Sequence, residues 1–476
     1  MQKEKKLHRQ WIAAIIATIG LFMMGMNLGW PSPTLQLMRK PDAEVHLTED
    51  QISWMVSVLY IGSTLSPVPT GWLMNCLGRR LTLMILTSVA LASWIILATV
   101  KSPMGVYIAR FLGGMWGGSA YTVAPIYLCE IAEPEVRGAL NTLFILMAYV
   151  GIMFEYCIGP RVSYTELSMI SACIPVTFVM LLLWVPESPY FYLMKGNRKK
   201  AGKALAWLRC AESPSEVEND LSVIEKAVIA DMQNKGRLKD LVSTAGNRKA
   251  LLIAEMLAVL QRMSGISVVM AYASAAIPQT GGFTSNDCAV ILCFIWIVFG
   301  LFSTVLVNWA GRRTLLAVSC LGCALGNAMI AGWFFLDTNT TFDAMSIAWF
   351  QMLSFSVYGA FFPIGLGCVP NMIQGEMFPA NTRGLASGVT STVISLTSFI
   401  TNKMYFSFGE SVGLYLNYAI FSVSCVFGVY FSLAVVIETK DRTLEDIQFE
   451  LVEHTARQKA KKLGGAELGD TTIGKS

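Results

Sequence analysis

The sequence predicts an all-α membrane protein, with twelve transmembrane helices in two like-oriented six-helix halves joined by a cytosolic helical linker. Three observations predict it. Hydrophobic residues make up 54% of the 476-residue chain and charged residues only 14%, against about 25% charged in soluble domains, so lipid must cover the excess. The apolar residues come in long continuous runs. A set of charged motifs recurs in the same order in the two halves of the chain.

The runs fall near 11–30, 52–74, 81–100, 104–128, 138–159, 167–186, 250–276, 287–307, 314–336, 344–370, 382–406 and 413–437. Roughly 20 apolar residues cross a bilayer as a helix. Backbone groups cannot meet water in lipid, so a span is a helix or part of a closed barrel, and runs of this length specify helices. The chain divides into a cytosolic N-terminus (1–10), an N-terminal half (11–186), a linker (187–249), a C-terminal half (250–437) and a cytosolic tail (438–476). The linker, rich in Lys, Glu and Ala, is expected to form short amphipathic helices on the cytosolic face. The tail after about 448 has little apolar content and is expected to stay mobile.

Charge sets the orientation. Of 36 Lys and Arg, a cytosolic N-terminus leaves only Arg39, Lys40, Lys101, Arg161 and Lys403 outside. Arg110 and Arg262 fall inside spans, and the rest lie on the cytosolic side, the positive-inside pattern. The net charge of +4 therefore reflects topology and gives no sign of nucleic-acid binding. "KEKKLHR" precedes the first run with no small-residue cleavage site after it, which reads as a retained first helix. The single N-x-[ST] sequon begins at Asn339, in the outside loop after the ninth run, and is the expected glycosylation acceptor. The plasma membrane is the expected location.

No catalytic constellation is visible, so an enzyme is not expected, nor is a cofactor or a metal. The eleven cysteines are scattered, and the Cys320–Cys323 C-x-x-C lies in an apolar run without a second pair, favouring packing over metal or redox chemistry. His8, His46 and His454 all lie outside the runs, which excludes intramembrane histidine chemistry.

The duplication is the strongest pattern. "NCLGRR" ends at Arg80 and "NWAGRR" at Arg313. Glu130 precedes Arg137 in "CEIAEPEVRG", and Glu376 precedes Arg383 in "GEMFPANTRG". Glu187 follows the sixth run and Glu438 the twelfth. The three matches are offset by 233, 246 and 251 positions and keep their order. Parallel six-helix repeats about an axis along the membrane normal are the plan of the major facilitator fold. Arg79, Arg80, Arg137, Arg312, Arg313 and Arg383 are expected to pair with Glu130, Glu187, Glu376 and Glu438 across the seam between the halves, or merely to orient the topology. Each pair at a water boundary is weak, about 0–1 kcal/mol, which suits a latch that must open.

Seven segments carry a specific resemblance: "ARFLGG" (109–114), "PIYLCEIAEPEVRGAL" (125–140), "PESPYFYLMKGN" (186–197), "QRMSGIS" (261–267), "AGRRTLL" (310–316), "GLGCVPNMIQGEMFP" (365–379) and "ETKDRTLEDI" (438–447). From about 11 to 448 the chain resembles the sugar porter family of the major facilitator superfamily. "LTEDQISWMVSVLYIGS" (47–63) is further similar to insect facilitated trehalose and hexose transporters. The resemblance implies alternating-access transport of a hexose or trehalose-like disaccharide by a monomer in the lipid bilayer, with the charged pairs closing the inner gate. Asn75 and Asn308 stand where the family usually has an acid, which is expected to loosen that gate and favour the inward-open state.

Carried onto this chain, the family's sugar positions are altered. A fifth-helix Gln falls on Ile145, an eighth-helix Asn on about Trp296, a tenth-helix Trp on Asn371 and the acid upstream of it on about Pro363. Gln261 is kept, and Asn371 and Ser267 are the expected replacement hydrogen-bonders. Trp296, Phe361 and Phe362 offer an apolar sugar-stacking surface, or simply pack. Arg262 is an ionisable group at membrane depth, a functional candidate by default. It binds an anionic substrate or pairs with Glu255, seven residues earlier on the same helix; Glu155 is another partner candidate. Asn27 stands where proton-driven relatives carry an Asp, and since it does not titrate, facilitated diffusion is favoured over proton symport. Two alternatives stay open: transport of a sugar acid or other small organic anion, and a non-transporting sugar sensor. Gly113, Gly114, Gly117 and Gly118 read as a helix-packing face, and Gly365, Gly367 and Pro370 as a bend in the tenth helix.

Overall fold

The computed structural model describes residues 8–233, 236–341, 343–440, 442 and 446–451, and of these the backbone alone at 134–139, 141–142, 308, 380 and 410. Calls on Arg137 and Asn308 as side chains lie outside the described residues. Among the described residues the helices form twelve traverses. In the N-terminal half they are His8–Gly29 continued by Pro31–Met38, Glu49–Leu65 continued by Pro67–Leu77, Arg79–Thr99, Pro103–Ile131, Pro134–Ile158 and Tyr164–Leu182. In the C-terminal half they are Ala245–Met263 continued by Ile266–Ala276, Ser285–Ala310, Arg312–Asn339, Ala348–Ile364 continued by Val369–Met377, Ala380–Ser411 and Leu414–Ala434. The linker carries Pro189–Met194, Arg198–Leu208, Glu218–Gln233 and Asp240–Ser243. Among the described residues the one β feature is an isolated bridge between Thr280 and Phe283.

Ten of these stretches are individually long and apolar enough to cross a membrane. The second and fourth traverses are not among them. Their small and polar residues serve helix contact rather than lipid. A Cβ on Gly114 would lie 1.8 Å from the Leu59 carbonyl oxygen, and one on Gly118 2.5 Å from that of Ser63, so the fourth helix rests directly on the second. Gly25 and Gly151 bring the first and fifth helices together in the same way, against the carbonyls of Ala148 and Phe22.

Four traverses are broken, for identifiable reasons. Proline lacks an N–H and clashes with the preceding turn, so Pro31 and Pro67 each open a new helix in its first turn, where the missing donor costs nothing. The seventh breaks at Gly265, which takes φ +93°. The tenth breaks between Ile364 and Val369, at the expected Gly365–Pro370 bend.

The linker builds a small core of its own from Leu193, Ala201, Leu205, Leu221 and Val228. It docks on the N-terminal half: Arg209 Nε pairs with Glu133 at 3.0 Å, and Arg9 stacks over Trp207 at 5.6 Å. We call this side, with the linker and the first helix's start, the linker face. Trp72, Trp184 and Trp309 are exposed and lie toward it, as an aromatic belt at a membrane boundary would.

Candidate functional site: the cavity between the halves and its charged rim

The repeated hexapeptide builds the same device twice. Gly78 and Gly311 take φ of +98° and +79°, open to glycine but strained for other residues, and each turns the chain into the N-terminus of a helix. There the first N–H groups lack intrahelical partners. Glu187 supplies them: its carboxylate accepts from the backbone N–H of Arg79 at 2.9 Å and of Arg80 at 3.0 Å. Glu438 accepts from the N–H of Arg312 at 2.9 Å and of Arg313 at 3.1 Å. A carboxylate at a helix N-terminus also meets the positive end of the macrodipole.

The guanidinium groups then reach sideways. Arg79 Nη2 lies 2.6 Å from Glu130 Oε1, both side chains nearly buried, and Arg312 Nη2 lies 2.8 Å from Glu376 Oε1. Arg80 and Arg313 donate to the carbonyls of Leu183 and Leu433, and Arg383 to that of Phe378. Every one of these contacts stays inside one half. Among the described residues no such pair crosses the seam: Glu187 and Glu438 take the backbone N–H groups that open helices of their own half, and Glu130 and Glu376 the guanidinium groups of Arg79 and Arg312 beside them.

Among the described residues, the hydrogen bonds joining the halves gather away from the linker face. Ser32 Oγ meets Ser274 Oγ at 2.7 Å, Gln36 Nε2 donates to the Ser274 carbonyl at 2.8 Å, and Tyr156 Oη donates to that of Met270 at 2.6 Å. Lys403 Nζ lies 3.0 Å from Asp50 Oδ1 and 4.5 Å from the Trp54 ring centre. Ser63 and Ser395 meet at 3.1 Å. Nearest the linker face is Asn371 Nδ2, donating to Tyr121 Oη at 2.9 Å.

Between these contacts lies a cavity lined from both halves. Asn27, Ile145, Gln261, Arg262 and Asn371 line it, as does Phe362. Gln261 spends its amide N–H on the tenth-helix break, donating to the Leu366 carbonyl at 2.6 Å. Asn27 Nδ2 donates to its own helix at Met23, 3.0 Å away. Two expected residues stand behind the wall. Ser267 donates to Ser398, which lines the cavity. Trp296 is fully buried and packs on Tyr149, ring centres 5.9 Å apart, so Tyr149 and not Trp296 meets the cavity.

Arg262 and Glu255 do not pair. Seven residues along a helix is about 10 Å, and Glu255 instead accepts from Thr390 Oγ1 at 2.7 Å. Glu155 is buried with Ser171 Oγ at 2.8 Å. Sequence reasoning missed the wall residues Tyr60, Tyr121, Tyr149, Ser395 and Ser398. Tyrosines in apolar runs read as packing, whereas the serines at 391, 395 and 398 keep helical spacing and were open to notice. It placed Arg110 inside a span but gave it no role; Arg110 is buried over the Trp30 ring and donates Nη1 to the Asn27 carbonyl at 2.6 Å.

Two six-helix halves enclosing a central cavity define a membrane transporter of the alternating-access kind. The chain belongs to the sugar (and other) transporter family, whose model matches residues 13–451. It is 29% identical over 455 residues to the facilitated trehalose transporter Tret1 of Polypedilum vanderplanki, covering 95% of this chain and 90% of that one. The same identity holds with Tret1 of Culex quinquefasciatus, at 94% and 87% coverage. With Tret1 of Drosophila virilis it is 29% over 453 residues, and there the chain spans about half of the relative's length, 49%. Among solved structures, the proton:xylose symporter XylE bound to 6-bromo-6-deoxy-D-glucose superposes with a TM-score of 0.75 at 22% identity, covering 94% of this chain and 100% of that one. An inward-open XylE from E. coli gives 0.74 at 20% identity, covering 92% and 99%. At these identities the likeness is one of fold.

Proposed function

We propose that this chain carries a hexose or a trehalose-like disaccharide across the plasma membrane by facilitated diffusion, as a monomer and without enzymatic chemistry. The observation that carries the reading is the cavity between the halves, walled by amide, hydroxyl and aromatic groups. Such a wall suits a polyol: each hydroxyl needs a partner once water is excluded, and an unmatched buried polar group is costly. The relatives named as facilitated trehalose transporters support the substrate class.

Gln261, Asn371 and Asn27 are assigned to the ligand's hydroxyls, Ile145 and Phe362 to its apolar faces. Ser267 acts through Ser398, and Trp296 through Tyr149. Asn27 offers no titratable proton, which favours uniport. Both termini and the linker are assigned to the cytosol, so the rim glutamates and arginines face inward, and the arrangement described is closed outside. The boundaries at 10, 186, 249 and 437 follow from that assignment.

The test is uptake of labelled glucose and trehalose into proteoliposomes without a proton gradient. Saturable uptake of either supports the reading. Absence of both, in protein shown to be folded, defeats it.

A further inference from the structure

Arg262 closes the helix Ala245–Met263, just before the Gly265 break, and lines the cavity beside Gln261. Its Nε is buried without a hydrogen-bond partner, and among the described residues no carboxylate pairs with it. The acid on its own helix, Glu255, is held by Thr390. Glu155 lies on Ser171 instead. What shares the wall with Arg262 is phenol: Tyr60, Tyr121 and Tyr149, from the second, fourth and fifth helices. A neutral phenol cannot balance a guanidinium.

In the open cavity water solvates this charge. Alternating access requires the cavity to close around its ligand, and a guanidinium desolvated by that closure gains from a counter-charge within reach. The ligand is the component that can bring one. We propose that among sugars this cavity binds those carrying a carboxylate, a hexuronate or aldonate, more tightly than neutral ones, with Arg262 as the carboxylate's partner; this rests on reading the cavity as the substrate site. The guanidinium's planar fork matches the two carboxylate oxygens. A sugar phosphate carries about two charges at neutral pH, more than this single cation balances. The amides of Gln261 and Asn371 and the hydroxyls of Ser395 and Ser398 remain for the hydroxyl groups.

The experiment measures uptake of labelled glucuronate, glucose and trehalose at pH 7 into proteoliposomes holding the full chain, in the wild type, Arg262→Gln and Arg262→Lys. The expected result is half-saturation by glucuronate at a concentration about tenfold or more below that of glucose, a preference lost in Arg262→Gln and partly restored by Lys. Saturable glucose or trehalose uptake that glucuronate does not inhibit overturns the carboxylate and leaves the sugar reading standing. A glucuronate preference unchanged in Arg262→Gln also overturns it. No uptake of any of the three by folded wild-type protein defeats both readings. The wild-type comparison decides by itself if Arg262→Gln fails to fold.

Discussion

At Gly78 one missing carbon decides the local structure. The backbone lies at φ +98°, and a Cβ there would sit 2.4 Å from Glu187 Oε2. Gly78→Ala should cost about 1–3 kcal/mol in backbone strain alone and push the carboxylate off the helix N-terminus, read as a lower Tm of the purified protein. Glu438, the equivalent carboxylate, has a testable pH signature. Burial alone would raise its pKa, but the backbone N–H groups of Arg312, Lys440 and Arg313, with the Arg312 charge, hold it below the usual carboxylate value. A lowered folded-state pKa contributes stability that is present above the ordinary carboxylate pKa and lost as pH falls through the depressed one. Melting curves from pH 7 down to about 3.5 should therefore show an acid limb that Glu438→Gln flattens; identical limbs would mean the carboxylate contributes nothing there. The sequence made this pairing legible only by half. It set the glutamates and the arginines on one face as pairing partners, but whether a carboxylate takes the guanidinium or the N–H of an arginine depends on where the helix begins in space.

Helices two and four meet through glycines, so their separation is set by backbone and not by side chains. Gly114→Val would drive a side chain into the Leu59 carbonyl, 1.8 Å from the Cβ position. The variant should yield little monodisperse protein on size exclusion. Gly332, in the ninth helix, has nothing within 4 Å of its Cβ position, and Gly332→Ala should instead stabilise by about 0.5–1 kcal/mol through backbone entropy. If both variants melt alike, contact distance is not what matters. Helix existence was readable from apolar runs, and most observed helices start two to five residues before the expected position, as Arg312 does before 314, whereas their C-terminal ends fall on either side of it. The extension is polar capping that hydropathy does not register. The break at Pro67, inside the run 52–74, was missed because hydropathy averages across a proline that interrupts the hydrogen-bond ladder without changing polarity, and the first run was ended at 30 although Pro31 opens a further helix there.

Taken whole, the molecule is held in one of two arrangements by weak ties. Lys403 with Asp50 and Trp54 joins the second and eleventh helices at the face away from the linker. An exposed pair contributes about 0–1 kcal/mol, enough to shift a near-balanced equilibrium several-fold. Asp50→Asn with Lys403→Gln should raise the fraction open at that face, seen as longer distances between spin labels on the outer ends of those helices. Asn75→Asp with Asn308→Asp should move the population the same way, by restoring acids at the linker face; an unaltered distance distribution would sink that expectation. The topology has its own test. Asn339 is exposed at the end of the ninth helix, on the side opposite the linker, so enzymatic removal of a glycan should increase gel mobility of the wild type but not of Asn339→Gln.

Span number, the duplication and the face bearing the charges follow from the sequence alone, because hydropathy and charge are summed along the chain and owe little to three-dimensional detail. Gln261, Arg262, Asn371, Asn27 and Ile145 could be named from motif position, and all five line the cavity. The tertiary structure decided the rest. It put Tyr149 in front of Trp296, left Glu255 to Thr390 rather than Arg262, and kept each arginine cluster inside its own half. Those outcomes depend on which side chains meet across helices far apart in sequence, and that geometry is set by how glycine faces and broken helices pack, which no local pattern encodes.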